Sequence, residues 1–214
     1  MFDTNWEMIN GPDAHSIEVM NAANQSNVLD GLITFLMAHK GPNRNSNPPM
    51  PDEGSLCELH RAGTLFLLAE PGKYRNLDVA VFDATGAVAH QPLPWQHVCG
   101  CMQHFFRELS CVWTSGDALD VASYALWRIN WVHPFRNGNG RTARAFSYAC
   151  LCLKLGVRLP GEPTIIDQIM ADRPPYERAL QVADQTARAT GTPDLSVMKG
   201  YLDSLLQIQM ASVH

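Results

Sequence analysis

The sequence predicts a mainly α-helical protein that carries one β-hairpin. Apolar residues recur at helical spacing along most of the chain, one stretch alternates in the manner of a strand, and a glycine-rich loop joins two apolar helical stretches. The chain has 214 residues, enough to bury a sizeable core without disulfides or metal ions.

Seven stretches are predicted to be helical. The first covers residues 13–39, and its expected apolar stripe consists of Val19, Val28, Leu29, Leu32, Ile33 and Leu36. The second covers residues 55–70, with Ser55 as a candidate cap and Pro71-Gly72 as its end. The others cover residues 94–109, 116–131, 140–155, 174–190 and 193–210. Residues 41–54 contain four prolines and three asparagines, which predicts a long exposed loop.

One segment, residues 74–92, has the pattern of a β-hairpin. Its first strand is predicted over Asp78, Val79, Ala80, Val81 and Phe82, with a turn at residues 83–86 and a second strand after it. A single hairpin is marginally stable and needs a surface to lie on. We therefore expect this hairpin to be a docking edge rather than part of the core.

Composition excludes several classes of protein. Apolar residues make up 46% and charged residues 17%, which argues against disorder. With 16 basic and 21 acidic residues the net charge is -5, which excludes a globally basic nucleic-acid or membrane-surface binder. No membrane span or secretory signal is recognisable. We expect a cytoplasmic protein with no nucleic-acid or membrane partner, and export by a route without a cleaved signal remains open.

The cysteines are expected to be reduced thiols that pack as small apolar residues. They are Cys57, Cys99, Cys101, Cys111, Cys150 and Cys152. None forms a Cys-x-x-Cys pair, and the Cys-x-Cys pairs have no matching His-x-x-His, so a zinc site is disfavoured. A reducing compartment fits this pattern.

The segment His-Pro-Phe-Arg-Asn-Gly-Asn-Gly-Arg-Thr-Ala-Arg, residues 133–144, carries the chemistry. Pro134 ends one apolar helix, and Gly138-Asn139-Gly140 allows a tight turn whose N–H groups form an anion nest at the start of the next helix. Arg141 and Arg144 are three residues apart, so they share a helix face and together suit a polyphosphate.

Three further residues of this segment have predicted roles. His133 is a candidate general base near neutral pH. Asn137 offers an oxygen to a metal ion or phosphate, and Phe135 is an apolar anchor that turns the loop back into the core. The alternative is a plain glycine–asparagine connection with both arginines on a solvated face; the added His-Pro-Phe and the spaced arginines argue against it.

The segment resembles the pattern His-Pro-Phe-x-(Asp/Glu)-Gly-Asn-Gly-Arg-x-x-Arg of Fic-domain proteins. Residues 71–75, Pro-Gly-Lys-Tyr-Arg, resemble the element that leads into the family's flap, and residues 74–92 resemble the flap itself. Residues 173–180 resemble its downstream Tyr-x-x-Ala-Leu helix. The resemblance covers residues 55–189 and implies a Fic-type helical bundle with one hairpin, the flap, beside the active-site loop.

The resemblance also implies a division of the chain. Residues 1–54 would be an N-terminal helix with the proline- and asparagine-rich loop. Residues 55–190 would be the Fic domain, and residues 191–214 a C-terminal helix packed on the same domain.

The resemblance implies an enzyme that transfers a nucleoside monophosphate, most often AMP from ATP, to a Ser, Thr or Tyr hydroxyl of a protein, with release of pyrophosphate. His133 would deprotonate the hydroxyl. The leaving phosphates would be held by the loop residues Asn137, Gly138, Asn139 and Gly140 and by Arg141 and Arg144, while Tyr176 would line the base pocket. The target would pair with Asp78, Val79, Ala80 and Val81 of the flap as an added strand.

Asn137 departs from the family pattern, which has a carboxylate there. Mg²⁺ prefers charged oxygen ligands, so we expect weak binding by Asn137 and a metal held mainly by the nucleotide phosphates. Two alternatives follow: a nucleotide-binding pseudoenzyme, against which His133 argues, or a transferase that uses another nucleotide or a CDP-alcohol donor. Ala-Asn-Lys, which marks the family's phosphate-transferring branch, is absent at residues 138–140.

Many relatives are inhibited by a helix with the pattern (Ser/Thr)-x-x-x-Glu-(Gly/Asn). The one Glu followed by Gly or Asn in this chain is Glu53, which lies in proline-rich surroundings where no helix is expected. We therefore expect no internal inhibitor. The enzyme would be constitutively active, or controlled by a separate inhibitor protein or by homo-oligomerisation.

Overall fold

The computed structural model describes residues 6–39, 48–82 and 85–213. Their α-helices are α1 (Pro12–Ala38), α2 (Glu53–Thr64), α3 (Val98–Ser115), α4 (Ala118–Val132), α5 (Asn139–Leu155), α6 (Ile165–Ala171), α7 (Arg173–Thr190) and α8 (Ser196–Ala211). A short 3-10 helix, Trp95–His97, precedes α3, and β1 (Val81–Phe82) pairs with β2 (Val88–His90). The predicted mainly helical fold with one hairpin is confirmed. No described helix has the length and apolarity needed to cross a bilayer.

Helices α4 and α5 form the centre of the bundle. They pack against each other along most of their length, and residues 142–153 of α5 are all buried. A helix that is buried on every side belongs in a core. Because α4 ends and α5 begins at this centre, the loop that joins them, residues 133–138, is attached at both ends to the buried core.

The first half of α1 buries polar side chains, and the apolar stripe predicted there is wrong in part. Val19 is 53% exposed, whereas Glu18, Asn21 and Gln25 are buried. The amides of Asn21 and Gln25 donate to the carbonyls of Leu65 and Leu59, each at 2.8 Å. These bonds satisfy the buried amides, and the stripe becomes apolar only further along α1.

Helix α2 begins and ends earlier than predicted. Its cap is Asp52, whose carboxylate accepts from the backbone N–H and the hydroxyl of Ser55 at 2.8 Å. Glu53 therefore lies in a helix, contrary to our expectation, because the Asp52 cap overrides the proline-rich approach. The loop predicted over residues 41–54 is correspondingly shorter, and of that loop residues 41–47 lie outside the described residues.

Two other expectations need correction. The sequence pattern missed α6, although Thr164 and Asp167 form a reciprocal capping box at its start. Cys150 and Cys152 are buried in α5 as predicted, whereas Cys99 and Cys111 are exposed on α3 and do not pack as small apolar residues.

The flap has shorter strands than predicted. Of the four residues proposed for target docking, only Val81 lies in β1; Asp78, Val79 and Ala80 precede the strand. The reason is that the base of the flap is held by side chains: the Asp78 carboxylate accepts from the backbone N–H of Trp95 at 2.8 Å. The predicted turn at residues 83–86 lies partly outside the described residues.

Helix α2 supports the 133–138 loop through His60, which is fully buried. Its Nδ1 accepts from the backbone N–H of Gly72 at 2.8 Å, and its Nε2–H donates to the carbonyl of Asn137 at 2.9 Å. The ring stacks on Phe135 with centroids 3.7 Å apart. Burial lowers the pKa of His60 to about 4, so the ring is neutral at pH 7.

This buried histidine predicts a loss of stability in mild acid. Below pH 6.5 an unfolded chain takes up a proton at residue 60 that the folded chain accepts only near pH 4, so the free energy of unfolding falls across that window. The contribution of His60 is about 3 kcal/mol. Denaturant unfolding measured from pH 7 to pH 4 should show a shallower decline for His60→Gln than for the parent chain. The exposed His104→Gln is the control, and an equal decline in all three proteins contradicts the assignment.

Candidate active site

The candidate base, His133, occupies a strained backbone position. It follows α4 with φ 52° and ψ 60°, a left-handed conformation that is costly for a residue other than glycine. Its N–H still donates to the carbonyl of Ile129 at 2.9 Å. The Nδ1 atom lies 3.4 Å from the carbonyl of Asn130, which favours a proton on Nδ1 and leaves the lone pair on Nε2.

The surroundings of His133 keep its ring uncharged. Burial is the main cause, with smaller contributions from the nearby His90 and Arg75, and together they lower its pKa to about 3. At neutral pH the imidazole is therefore in the form that can accept a proton, as a general base requires.

Arg75 holds the strained turn in place, and sequence reasoning gave it no role of its own. It is only 3% exposed. Its Nε–H donates to the carbonyl of His133 at 2.8 Å, and its terminal nitrogens donate to the carbonyls of Leu77 and Leu93 at 3.1 and 2.6 Å. One guanidinium thus joins both ends of the flap to the candidate base.

The middle of the loop is fixed by Phe135 and Asn139. Phe135 is fully buried, and its role as the apolar anchor of the loop stays a prediction. The side-chain oxygen of Asn139 accepts from the N–H of Phe135, and its amide donates to the carbonyl of Phe135, both at 2.8 Å. Pro134 is also buried, and its carbonyl accepts from the N–H of Arg75 at 2.8 Å.

The start of α5 has the geometry of an anion site. Gly138 adopts a left-handed conformation at φ 76°, and a Cβ there would lie 2.6 Å from the side chain of Thr64, so only glycine fits. The N–H of Thr142 donates to the carbonyl of Gly138 at 3.1 Å. The N–H groups of residues 139–141 come before it, in the first turn, where an α-helix offers them no intrahelical partner. They are available to negatively charged oxygen atoms.

Arg144 is the positive charge that this site leaves unpaired. It is 9% exposed, its Nε is buried without a hydrogen-bond partner, and no carboxylate within residues 6–39, 48–82 and 85–213 forms an ion pair with it. A Cβ on Gly140 would lie 3.3 Å from one terminal nitrogen, so glycine lets the guanidinium approach the loop backbone. Burial lowers the pKa of Arg144, yet an arginine stays protonated at neutral pH.

Arg141 already has a partner. Its guanidinium pairs with the buried carboxylate of Glu18 at 2.7 Å, donates to the carbonyl of Gly63 at 3.0 Å, and lies over the ring of Trp6. The two arginines therefore have different surroundings: Arg141 ties α5 to α1 and α2, whereas Arg144 lies beside the Tyr176 hydroxyl and has no carboxylate partner among the described residues. The sequence feature that indicates a buried role for Glu18 is the recurrence of polar residues at helical spacing, Glu18, Asn21 and Gln25, on one face of α1.

Tyr176 lies behind this site. Its ring is 2% exposed, and its hydroxyl accepts from the amide of Asn130 at 2.9 Å. Burial raises the pKa of the hydroxyl, and the neighbouring charge of Arg144 opposes that rise. Tyr176 is thus in position to orient Asn130, the residue whose carbonyl faces His133; its contact with a nucleotide base stays a prediction.

The residues of the loop do not fit a protein-held Mg²⁺ site. The side-chain oxygen of Asn137 accepts from the N–H of Gly138 at 2.6 Å, so it is directed into the loop. Within the part of the chain that is described, no group of three or more His, Cys, Asp or Glu side chains is arranged to hold a metal ion.

Comparison with known proteins agrees with this geometry. The Fic/DOC family model matches residues 51–151. The structure of a Fic family protein from Desulfovibrio desulfuricans G20 is similar, with a TM-score of 0.63 and 22% identity over 95% of this chain and 68% of that chain. A Fic domain containing signaling protein from Bacteroides thetaiotaomicron VPI-5482 gives a TM-score of 0.67 and 17% identity over 90% of this chain and 69% of that chain.

A third solved structure is also similar. Fic-1 from C. elegans gives a TM-score of 0.63 and 19% identity over 91% of this chain, which spans only 49% of that structure. No curated protein matches the chain in sequence. Because the sequence identities are low, these structures establish the fold alone. The family match over residues 51–151 covers α2, the flap and the whole 133–138 loop. The chain is therefore similar to Fic-domain proteins, in sequence over residues 51–151 and in fold over most of its length.

Proposed function

We propose that this protein transfers a nucleoside monophosphate, AMP from ATP in the first instance, to a hydroxyl of a target protein. The observation that carries the proposal is the pairing of an uncharged His133 with an anion site that contains an unpaired, buried Arg144. A protein that only binds nucleotides has no need for a general base next to the anion site.

The proposed reaction transfers the nucleoside monophosphate of the donor to the target hydroxyl. Nε2 of His133 accepts the proton of the target hydroxyl, and the hydroxyl oxygen attacks the α-phosphorus. The bond between the α-phosphorus and the bridging oxygen breaks, and pyrophosphate leaves with that oxygen. The imidazolium that forms is stabilised by the negative phosphates, which offset the surroundings that hold its pKa low in the empty site.

The leaving phosphates are assigned to the start of α5. The N–H groups of residues 139–141 would bind their oxygen atoms, and Arg144 would neutralise part of their charge. We expect Mg²⁺ to arrive bound to the phosphates, because Asn137 directs its oxygen to Gly138 and supplies no charge.

The acceptor segment is assigned to the outer edge of β1. In the described sheet β1 pairs only with β2, so its other edge has unpaired backbone groups. An added strand would form main-chain hydrogen bonds that position a hydroxyl without recognising a particular sequence.

Control of the activity by a separate inhibitor protein or by homo-oligomerisation stays a proposal. Among the described residues no carboxylate forms an ion pair with Arg144, so none of them would block the phosphate site in that way.

The test is a labelling assay. Purified protein and its His133→Ala variant are mixed with Mg²⁺, a cell lysate and each α-labelled nucleoside triphosphate in turn. Covalent label on protein with the parent chain, and at least a hundredfold less with the variant, is the expected result. No label from any nucleotide, despite measurable nucleotide binding, contradicts the proposal and favours a pseudoenzyme or a CDP-alcohol donor.

The same substitution at Arg144 and at Arg141 should have different effects on ATP binding and on stability. Arg144→Met should weaken ATP binding at least ~10-fold, because a charge-assisted contact is lost, and should change the free energy of unfolding by less than about 1 kcal/mol. Arg141→Met should lower the free energy of unfolding by about 3 kcal/mol, because the carboxylate of Glu18 stays buried without its cation. Titration calorimetry and denaturant unfolding measure the two quantities. Equal effects of both substitutions on ATP binding and on stability contradict the assignment.

A further inference from the structure

We propose that His90 is a positioning residue that fixes the flap to the helix carrying His133. The proposal rests on the proposed transfer to a target held by the flap. His90 is the last residue of β2, and its Nε2–H donates to the carbonyl of Trp131 at 2.9 Å.

The carbonyl that His90 binds lies in the last turn of α4. The final four carbonyls of an α-helix have no intrahelical partner and need another donor. The carbonyl of Ile129 is bound by the N–H of His133, and that of Trp131 is bound by His90. His90 thus satisfies the backbone two residues before the candidate base, and the side chains of His90 and Trp131 are also in contact, with ring centroids 5.4 Å apart.

The opposite side of the His90 ring is held by α7. Its Nδ1 lies 3.2 Å from a terminal nitrogen of Arg188, which donates to it, and 3.6 Å from the carboxylate of Asp184. Asp184 is itself fixed by the indole N–H of Trp127 at 3.0 Å. The ring therefore joins three elements: β2, α4 and α7.

The flap needs such an anchor because its own pairing is short. Among the residues that the structure describes, the strands share two pairs, Val81 with His90 and Phe82 with Val88, and the register is irregular between them. Phe82 and Val88 are 61% and 55% exposed, so little apolar burial holds the tip. A two-stranded hairpin of this kind does not keep a fixed position by itself.

The register of the flap connects the docking edge to the base. Val81 of β1 is the cross-strand partner of His90, so the strand expected to receive the target is paired directly with the anchor. Loss of the anchor should leave the nucleotide site intact, because the contacts of Arg144 and of residues 138–140 do not include His90. It should loosen the placement of the acceptor hydroxyl. His90 makes only a smaller contribution to the low pKa of His133 than burial does, so the His133 ring should stay neutral at pH 7 without it.

The experiment compares His90→Ala, His90→Gln and the control His104→Ala, an exposed histidine on α3. The acceptor probe is a synthetic peptide library with one Ser, Thr or Tyr per peptide, at subsaturating concentration, and transfer to water is followed as release of AMP and pyrophosphate from ATP. His90→Ala should lower transfer to peptide about fivefold to tenfold, the effect of one lost hydrogen bond, without changing ATP binding or AMP release. His90→Gln should recover most of the loss, because a glutamine N–H reaches the position of Nε2. His104→Ala should match the parent chain.

Amide hydrogen exchange of the flap gives a readout that does not depend on transfer. The amides of β1 and β2 should exchange faster in His90→Ala and at the parent rate in His104→Ala. Equal loss of peptide transfer and AMP release, no recovery with glutamine, or unchanged exchange overturns the proposal. If the parent chain labels neither peptide nor protein, the proposed function fails, and the exchange comparison alone then decides whether His90 anchors the flap.

Discussion

The left-handed turn at His133 is the constraint on which the rest of the site depends. It turns the chain out of α4, and Gly138 turns it back into α5, so four residues, 134–137, connect the two turns. Each turn is backed from outside the loop. Arg75 binds the carbonyl of His133, and His60 binds the carbonyl just before Gly138. The strain at His133 persists because these buried contacts leave no room to relax.

The residues that support the loop also determine which of the two arginines at the start of α5 has a counter-charge. Arg141 is neutralised by a carboxylate from α1, whereas Arg144 is buried without one. A buried guanidinium without a counter-charge is unfavourable in an isolated chain, and an incoming triphosphate removes that cost. The anion site and the base belong to the same loop, but different neighbours support them: α1 and α2 support the anion site, and the flap with α7 supports the base.

The sequence predicts the helical fold, the single hairpin, the anchor Phe135 and the whole 133–144 segment, because these features depend on residues that are close together in the chain. The supports of the site come from distant parts of the chain. Arg75 lies 58 residues from His133, His90 lies 41 residues from Trp131, and Glu18 lies 123 residues from Arg141. No local pattern brings such residues together. The shortened strands of the flap have the same origin, since Asp78 bonds to Trp95 instead of extending β1.

The proposed reaction requires that the loop geometry keep His133 neutral, with its proton on Nδ1. Nitrogen-detected NMR of the labelled imidazoles from pH 8 to pH 5 tests it directly, with His133→Ala to assign the signal. The ring should stay neutral, in the Nδ1–H form, across the whole range, because burial lowers its pKa to about 3. A His133 ring that takes up a proton near pH 6.5, or that carries its proton on Nε2, could not be the proposed base.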